Sequence, residues 1–300
     1  MPGRFFRGTV FLAALALALA SAAGGGPLLR AAAGEAPAPD NGPDAFLPEW
    51  PEGFKAFPED PWIAFNRAKG EVRVAAALSD GLIQLESPLD FLLVSGVRTE
   101  DGYWHYERGY ESVFVTRARP DSLFFALMLS GLKPGDAPLP DARNANSAGH
   151  VKGAPLPPDA GPKTPATRLR ILVEWRDADG GRQVAPAEHF YRDRATGKPP
   201  TDTVWLFTGS YLVEGGPERG RYLAALDSRV LAATFFDETA LLNRAGESVN
   251  PYQSDGGFSV AAEALPPEFR RTRVAEYGEE KRTIWLPRPY PATLIFTAAE

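Results

Sequence analysis

The chain has 300 residues, 32 Lys+Arg against 38 Asp+Glu for a formal charge of −6, and no cysteine. Mild acidity with both signs interspersed excludes the basic footprint that a nucleic-acid surface needs. The missing thiols exclude a disulfide framework, thiolate metal sites, cysteine nucleophiles and lipidation at a cleavage-site cysteine.

Met1 to Ala23 carry Arg4 and Arg7, then an apolar run from Val10 to Ala20, then small residues at Ala20 to Ala23. This is the three-part pattern of a secretory signal peptide, so residues 1–23 read as an export signal and the mature protein as periplasmic or secreted. The run falls short of the roughly 20 residues a membrane-spanning helix needs, which makes a retained anchor the weaker reading and leaves no stable span after cleavage.

Residues 24–64 are rich in Gly, Ala and Pro and read as a tether, because Pro37, Pro39, Pro43, Pro48, Pro51, Pro58 and Pro61 prevent regular elements. Phe46, Trp50, Phe54, Phe57 and Trp62 are more aromatics than a solvated linker carries, so its C-terminal part is expected to dock on the folded domain.

The domain proper is read as residues 65–300, about 235 residues and one unit. Glu71 to Leu78, Leu82 to Glu86 and Phe91 to Val97 are β-prone runs separated by turn residues, which predicts an antiparallel meander. Asp101-Gly102 makes a further turn and Ser112 to Arg117 a further strand. Pro120 and Asp121 open a helix that Gly131 and Pro134 stop; it is apolar nearly all round and is expected to be wedged between two layers. The segment 134–167 holds eight prolines and reads as a disordered insertion. Arg168 to Trp175 alternates, and Asp177 to Gly181 turns it into Arg182 to Ala185. Pro186 to Tyr191 fits one helical turn.

Thr203 to Leu242 looks like the spine of the fold. Val204 to Phe207 is strand-prone; Arg221 to Leu226 and Arg229 to Phe236 are predicted to form a tight hairpin across Asp227-Ser228; Asp237 is a candidate N-cap for a helix to Leu242. Arg271 to Glu276 and Arg282 to Leu286 predict a hairpin, and Ala292 to Thr297 the closing strand. The densest basic cluster, Arg270, Arg271 and Arg273, is answered by Glu268, Glu276, Glu279 and Glu280 and reads as a self-neutralising surface. Many short strands, two or three short helices and no βαβ alternation give an α+β class with a mainly antiparallel sheet.

Tyr110-Glu111-Ser112, Ala118-Arg119-Pro120 leading to Gly131-Leu132-Lys133-Pro134-Gly135, Val173-Glu174-Trp175, Val204 to Ser210 and Tyr222-Leu223-Ala224 follow one another in an order that resembles the YdjY-like family of exported bacterial proteins, over roughly Gly70 to Phe296. The resemblance implies export and a shared fold but no reaction. Relatives often carry His-Glu where this chain has Tyr110-Glu111, and a helix His where it has Phe124, so any metal or proton-transfer role of those histidines is lost here.

Catalytic signatures are thin. Ser130 to Lys133 matches S-x-x-K, but Ser130 ends a helix instead of opening one, and the G-x-S-x-G elbow is absent at Ser210. Asp177 to Glu188 has acids at the first, third and twelfth positions of a calcium loop, yet Arg182 replaces the sixth-position Gly and Gly181 offers no ligand at the fifth, so a hairpin turn is favoured. Of three histidines only His105 shares a strand face with a carboxylate, Glu107, and a zinc site would need further ligands from Glu111 or Asp202. No catalytic residue, metal ligand or cofactor emerges.

Tyr103, Trp104, His105, Tyr106 and Tyr110 concentrate polar aromatics around a turn, which suits sugar rings or peptide. Strand alternation puts Trp104 and Tyr106 inward. Tyr103, His105, Glu107 and, across the turn, Glu111 are then the exposed ligand-binding candidates. The leading reading is an exported non-catalytic domain that binds a protein or polysaccharide partner. The alternative is an exported hydrolase with a carboxylate site near Glu107, Glu111 and Asp202.

Overall fold

The computed structural model describes residues 47–79, 81, 88–135, 166–201, 203–215, 219–234, 237–245, 257–260, 265–277 and 280–299. The expectations for the signal segment, the Leu82 to Glu86 strand, positions 136–165 of the insertion and Asp202 lie outside these residues. The chain divides into two compact units, Met1–Pro39 with Arg273–Ile284 and Asp40–Thr272 with Trp285–Glu300. The second unit carries the fold and the sites below.

Its strands are β1 (Lys55–Phe57), β2 (Asp60–Asn66), β3 (Glu71–Leu78), β4 (Phe91–Ser95), β5 (Val97–Arg98), β6 (Trp104–His105), β7 (Ser112–Thr116), β8 (Arg168–Arg176), β9 (Arg182–Pro186), β10 (Arg192–Asp193), β11 (Trp205–Phe207), β12 (Leu212–Glu214), β13 (Arg221–Leu223), β14 (Val230–Ala233), β15 (Leu242–Arg244) and β16 (Phe258–Ser259). β17 (Arg270–Tyr277) and β18 (Glu280–Pro287) form a two-stranded sheet that includes the first unit's described residues, and β19 (Pro291–Ala298) ends the second unit. One helix of length, α1 (Pro120–Leu129), lies between β7 and β8.

Eight strands close on themselves in the order β3, β19, β8, β11, β15, β14, β4, β7 and back to β3, the last junction pairing Ala76 with Thr116 and Leu78 with Phe114. The described residues are therefore mostly β, 45% strand against 13% helical, with a closed eight-stranded barrel. This overturns the α+β class with a mainly antiparallel sheet. The expected meander fails for the same reason: β3 pairs with β2, β19 and β7, whereas β4 pairs parallel with β7. β14 and β15 are likewise parallel. Period-2 alternation made each strand legible, but it carries no information on which strand lies beside which.

Alternation also explains the core. Val72, Val74, Ala76 and Leu78 of β3, Ala292, Leu294 and Phe296 of β19, and Leu169, Ile171 and Val173 of β8 join Trp205, Phe207 and Phe114 in one buried apolar cluster. An eight-stranded barrel is just wide enough for such side chains to fill it. The opposite face of β3 and β8 is polar: Arg73 is ion-paired to Glu71 (2.7 Å) and Glu174 (3.1 Å), and Glu174 also takes Arg182 (2.7 Å).

Several local expectations hold and others need correction. α1 runs as predicted, with Pro120 at its start and Gly131 at φ +90° just past its end. It is not wedged, however: Leu123, Ala126 and Leu127 enter the core, whereas Phe125, Met128 and Leu129 are exposed. The tether boundary also moves, because β1 and β2 occupy its C-terminal part and Phe57, Trp62 and Phe65 pack on the core. The hairpin at Asp227-Ser228 does not form. β13 pairs with β12, residues Ala225–Ser228 make a helical turn ending at Arg229 in the left-handed region (φ +61°), and β14 goes to β4 and β15. In place of a helix after Asp237, its carboxylate caps Thr239 locally (2.8 Å to the backbone N–H) and the chain enters β15.

Candidate binding surface at the aromatic hairpin

β5 and β6 pair antiparallel, Val97 opposite His105 and Arg98 opposite Trp104. The turn between them is fixed by Thr99, whose backbone N–H and hydroxyl both donate to the Tyr103 carbonyl (2.8 and 2.9 Å) and whose hydroxyl also meets the Asp101 carboxylate. That hydroxyl holds the Asp101 carboxyl below its usual pKa. Gly102 sits at φ +89°, a conformation that disfavours any other residue there.

The alternation predicted from sequence is present. Tyr103 is 74% exposed, His105 and Glu107 are exposed, and Trp104 and Tyr106 are half-buried beneath them. Tyr106 packs on a separate apolar cluster of Phe91, Val94, Val115, Val230, Ala233 and Ala240. Gly96 accommodates its ring: a Cβ there would lie 2.6 Å from Tyr106 Cε1. The Trp104 ring stacks on the Arg117 guanidinium (5.3 Å), whose charge also stacks on Trp62 (4.9 Å). Trp62 and Arg117 were not among the sequence candidates; the one hint was that Trp62 is unusual for a solvated linker.

Glu111 corrects the expectation. It belongs to the turn Gly109–Glu111, is 6% exposed, and pairs with Arg108 (3.4 Å), whose guanidinium lies over the Phe91 ring (5.3 Å). It braces the base of the hairpin and is not on the exposed face; Tyr110 beside it is exposed. Of the three carboxylates in the hydrolase alternative, Glu107 faces solvent, Glu111 is turned inward and Asp202 lies outside the described residues.

The other sequence signatures find structural uses. Asp177 accepts the Gly181 and Asp179 backbone N–H groups (2.7 and 3.1 Å) and the Gln183 amide (2.7 Å), which makes the suspected calcium loop a β8–β9 hairpin turn. Ser130 caps the end of α1 and reaches the Glu71 carbonyl (3.5 Å). Among the described residues, no group of three His, Asp or Glu side chains is placed to hold a metal ion, and no helix is long and apolar enough to cross a membrane. No family model, curated protein or solved structure matches the chain.

What the hairpin offers is a flat phenol ring with a polar tip, flanked by an imidazole and a carboxylate, on a turn anchored by two half-buried rings. These groups have the chemistry to stack on a ring and to hydrogen-bond its substituents.

Proposed function

We propose that the protein is an exported, non-catalytic binding domain that holds a polysaccharide of the cell envelope or its surroundings on the exposed face of the β5–β6 hairpin. The observation that carries this is the split across the hairpin. Tyr103, His105 and Glu107 share the outward face, while Trp104 and Tyr106 fasten it to the barrel. A turn whose backbone is already fixed loses little freedom when a sugar stacks on the ring it carries, and the neighbouring imidazole and carboxylate suit the sugar's hydroxyls. The N-terminal export pattern and the resemblance to the YdjY-like exported proteins support this reading, since such polymers lie outside the cytoplasm. Glu111 supports the hairpin from below and is not a contact.

Co-sedimentation with peptidoglycan and affinity electrophoresis in soluble glucans test the reading. The mature chain is expected to bind at least one, and Tyr103→Ala or His105→Ala to weaken binding several-fold, stacking being worth on the order of 1 kcal/mol per ring. Binding to neither polymer, or equal binding by the variants, would remove the hairpin from consideration.

A further inference from the structure

The inward side of the hairpin rests on a guanidinium. β5 and β6 share only two residue pairs, Val97 with His105 and Arg98 with Trp104. A two-stranded ribbon that short does not hold its own orientation, so the direction of its outward face is set by what its inward side chains touch. Tyr106 touches the apolar cluster around Phe91 and Val94, and Trp104 touches Arg117 (5.3 Å from guanidinium carbon to ring centre).

The backbone around Arg117 is a fixed point. Its neighbours are buried and bonded: the Thr116 hydroxyl donates to the Ala75 carbonyl (2.6 Å), and the Ala118 carbonyl accepts the Ser95 hydroxyl (2.6 Å). The Gly96 N–H donates to the Thr116 carbonyl (2.8 Å), which pins the root of β5 beside the residue that the Trp104 ring lies on. The side chain is held in another way. Arg117 Nη1 is buried without a hydrogen-bond partner, and the contacts that orient the guanidinium are two aromatic rings, Trp104 and, at 4.9 Å, Trp62 of β2.

Trp62 is itself tied to this region. The Asp60 carboxylate, 2% exposed, accepts the backbone N–H groups of both Trp62 (3.3 Å) and Arg119 (2.8 Å), so the start of β2 is fastened to the segment that leads from Arg117 into α1. The Trp50 indole N–H adds a bond to the Pro61 carbonyl (3.3 Å). We infer that Arg117 and Trp62 are positioning residues of the hairpin's binding face: Trp62 orients the guanidinium, the guanidinium seats the Trp104 ring, and that ring sets the direction in which Tyr103, His105 and Glu107 point. Neither residue contacts the ligand. The inference rests on the polysaccharide reading for what the face binds, and on the contacts above for how the face is held.

A stack of this kind makes demands that packing alone does not. It needs a π face beneath the charge and a flat cation above it. Leu at position 62 fills apolar space but offers no ring, whereas Phe offers one; Met at position 117 keeps the length of the side chain and loses the cation.

Trp62→Leu, Trp62→Phe and Arg117→Met are therefore compared by amide hydrogen exchange on the free chain, and by co-sedimentation with peptidoglycan and affinity electrophoresis in soluble glucan. Trp62→Leu and Arg117→Met should speed exchange at Trp104 and His105 and weaken polymer binding, each on the order of three- to tenfold, while Trp62→Phe restores most of both. Exchange in β8 and β19 should stay at the wild-type rate, which separates a lost position from a lost fold. Wild-type exchange at Trp104 and His105 in Trp62→Leu and Arg117→Met overturns the inference, as does Leu serving at position 62 as well as Phe, or polymer binding that is unchanged when exchange has quickened. If the wild type binds neither polymer but exchange follows the expected order, the positioning role stands and the polysaccharide reading alone falls.

Discussion

Tyr103 and Trp104 are chain neighbours with opposite duties, and their substitution should separate binding from stability. Tyr103→Ala removes an exposed ring and should change unfolding free energy by no more than about 0.5 kcal/mol. Trp104→Ala removes a half-buried ring and half of the Arg117 stack, and should cost about 2 kcal/mol in urea unfolding. Equal costs would mean the two faces are not distinguished as described. Glu174 gives a pH test. Burial pushes its pKa up, but the bonds and charges of Arg182 and Arg73 more than reverse this and hold it below the ordinary 4.5. A depressed carboxylate contributes stability above its unfolded pKa and loses it as pH falls through the folded one. Glu174→Gln should therefore cost about 1 to 2 kcal/mol at neutral pH, with the gap to wild type closing in acid; a constant gap would show the charge to be idle. At this scale the sequence made the Tyr103/Trp104 split legible, because strand alternation is local. It missed Arg117 and Trp62, which meet only through folding, and it misplaced Glu111, whose turn changes the facing of the next residues.

Elements were legible wherever local chemistry sets them. Pro120 and Gly131 bracket α1, and Asp177 to Gly181 close the β8–β9 turn. They were illegible where a neighbour decides: Asp227-Ser228 looks like a hairpin turn, yet β14 finds more partners in β4 and β15 than β13 could offer. The exposed side of α1 is a similar case, since apolar composition alone does not tell which side is covered. Phe125→Gln and Leu129→Gln should each leave stability within about 0.5 kcal/mol, whereas Leu127→Ala should cost about 2 to 5 kcal/mol, as calorimetry of the three variants would show. For the hairpin, the sensitive position is Gly96. A methyl group there would overlap the Tyr106 ring and crowd Trp104 at 3.2 Å. Gly96→Ala should loosen β5 and β6 from the barrel, seen as faster amide exchange at Val97, Arg98, Trp104 and His105 with little change elsewhere. Unchanged protection would mean the hairpin is held by something other than that contact.

The whole molecule depends on a strand that arrives last. β19 sits between β3 and β8, pairing Pro291 to Thr297 with Ala77 to Glu71 on one side and Thr293 to Ala298 with Glu174 to Leu169 on the other. Its inward residues Ala292, Leu294 and Phe296 fill the barrel between those strands. Every backbone bond of the ring between β3 and β8 thus runs through a segment at the opposite end of the chain from β3. Closure over such separation is entropically late and slow, so refolding should fall in the millisecond-to-second range and not the microseconds of a local fold. Ending the chain at Tyr290 removes one strand but two ladders, leaving β3 and β8 with bare edges and an uncovered apolar interior. We expect that truncated chain to lose its cooperative thermal transition and to bind hydrophobic dye while keeping β-type circular dichroism. A truncated protein that still unfolds cooperatively, with protected amides in β11 and β15, would show that seven strands suffice and that the ring is not the cooperative unit. Adding a peptide of residues 291–300 separates the two causes of failure: if the missing ladders are what matters, the peptide restores the transition, because the bare edges of β3 and β8 are already a template for one strand and no other.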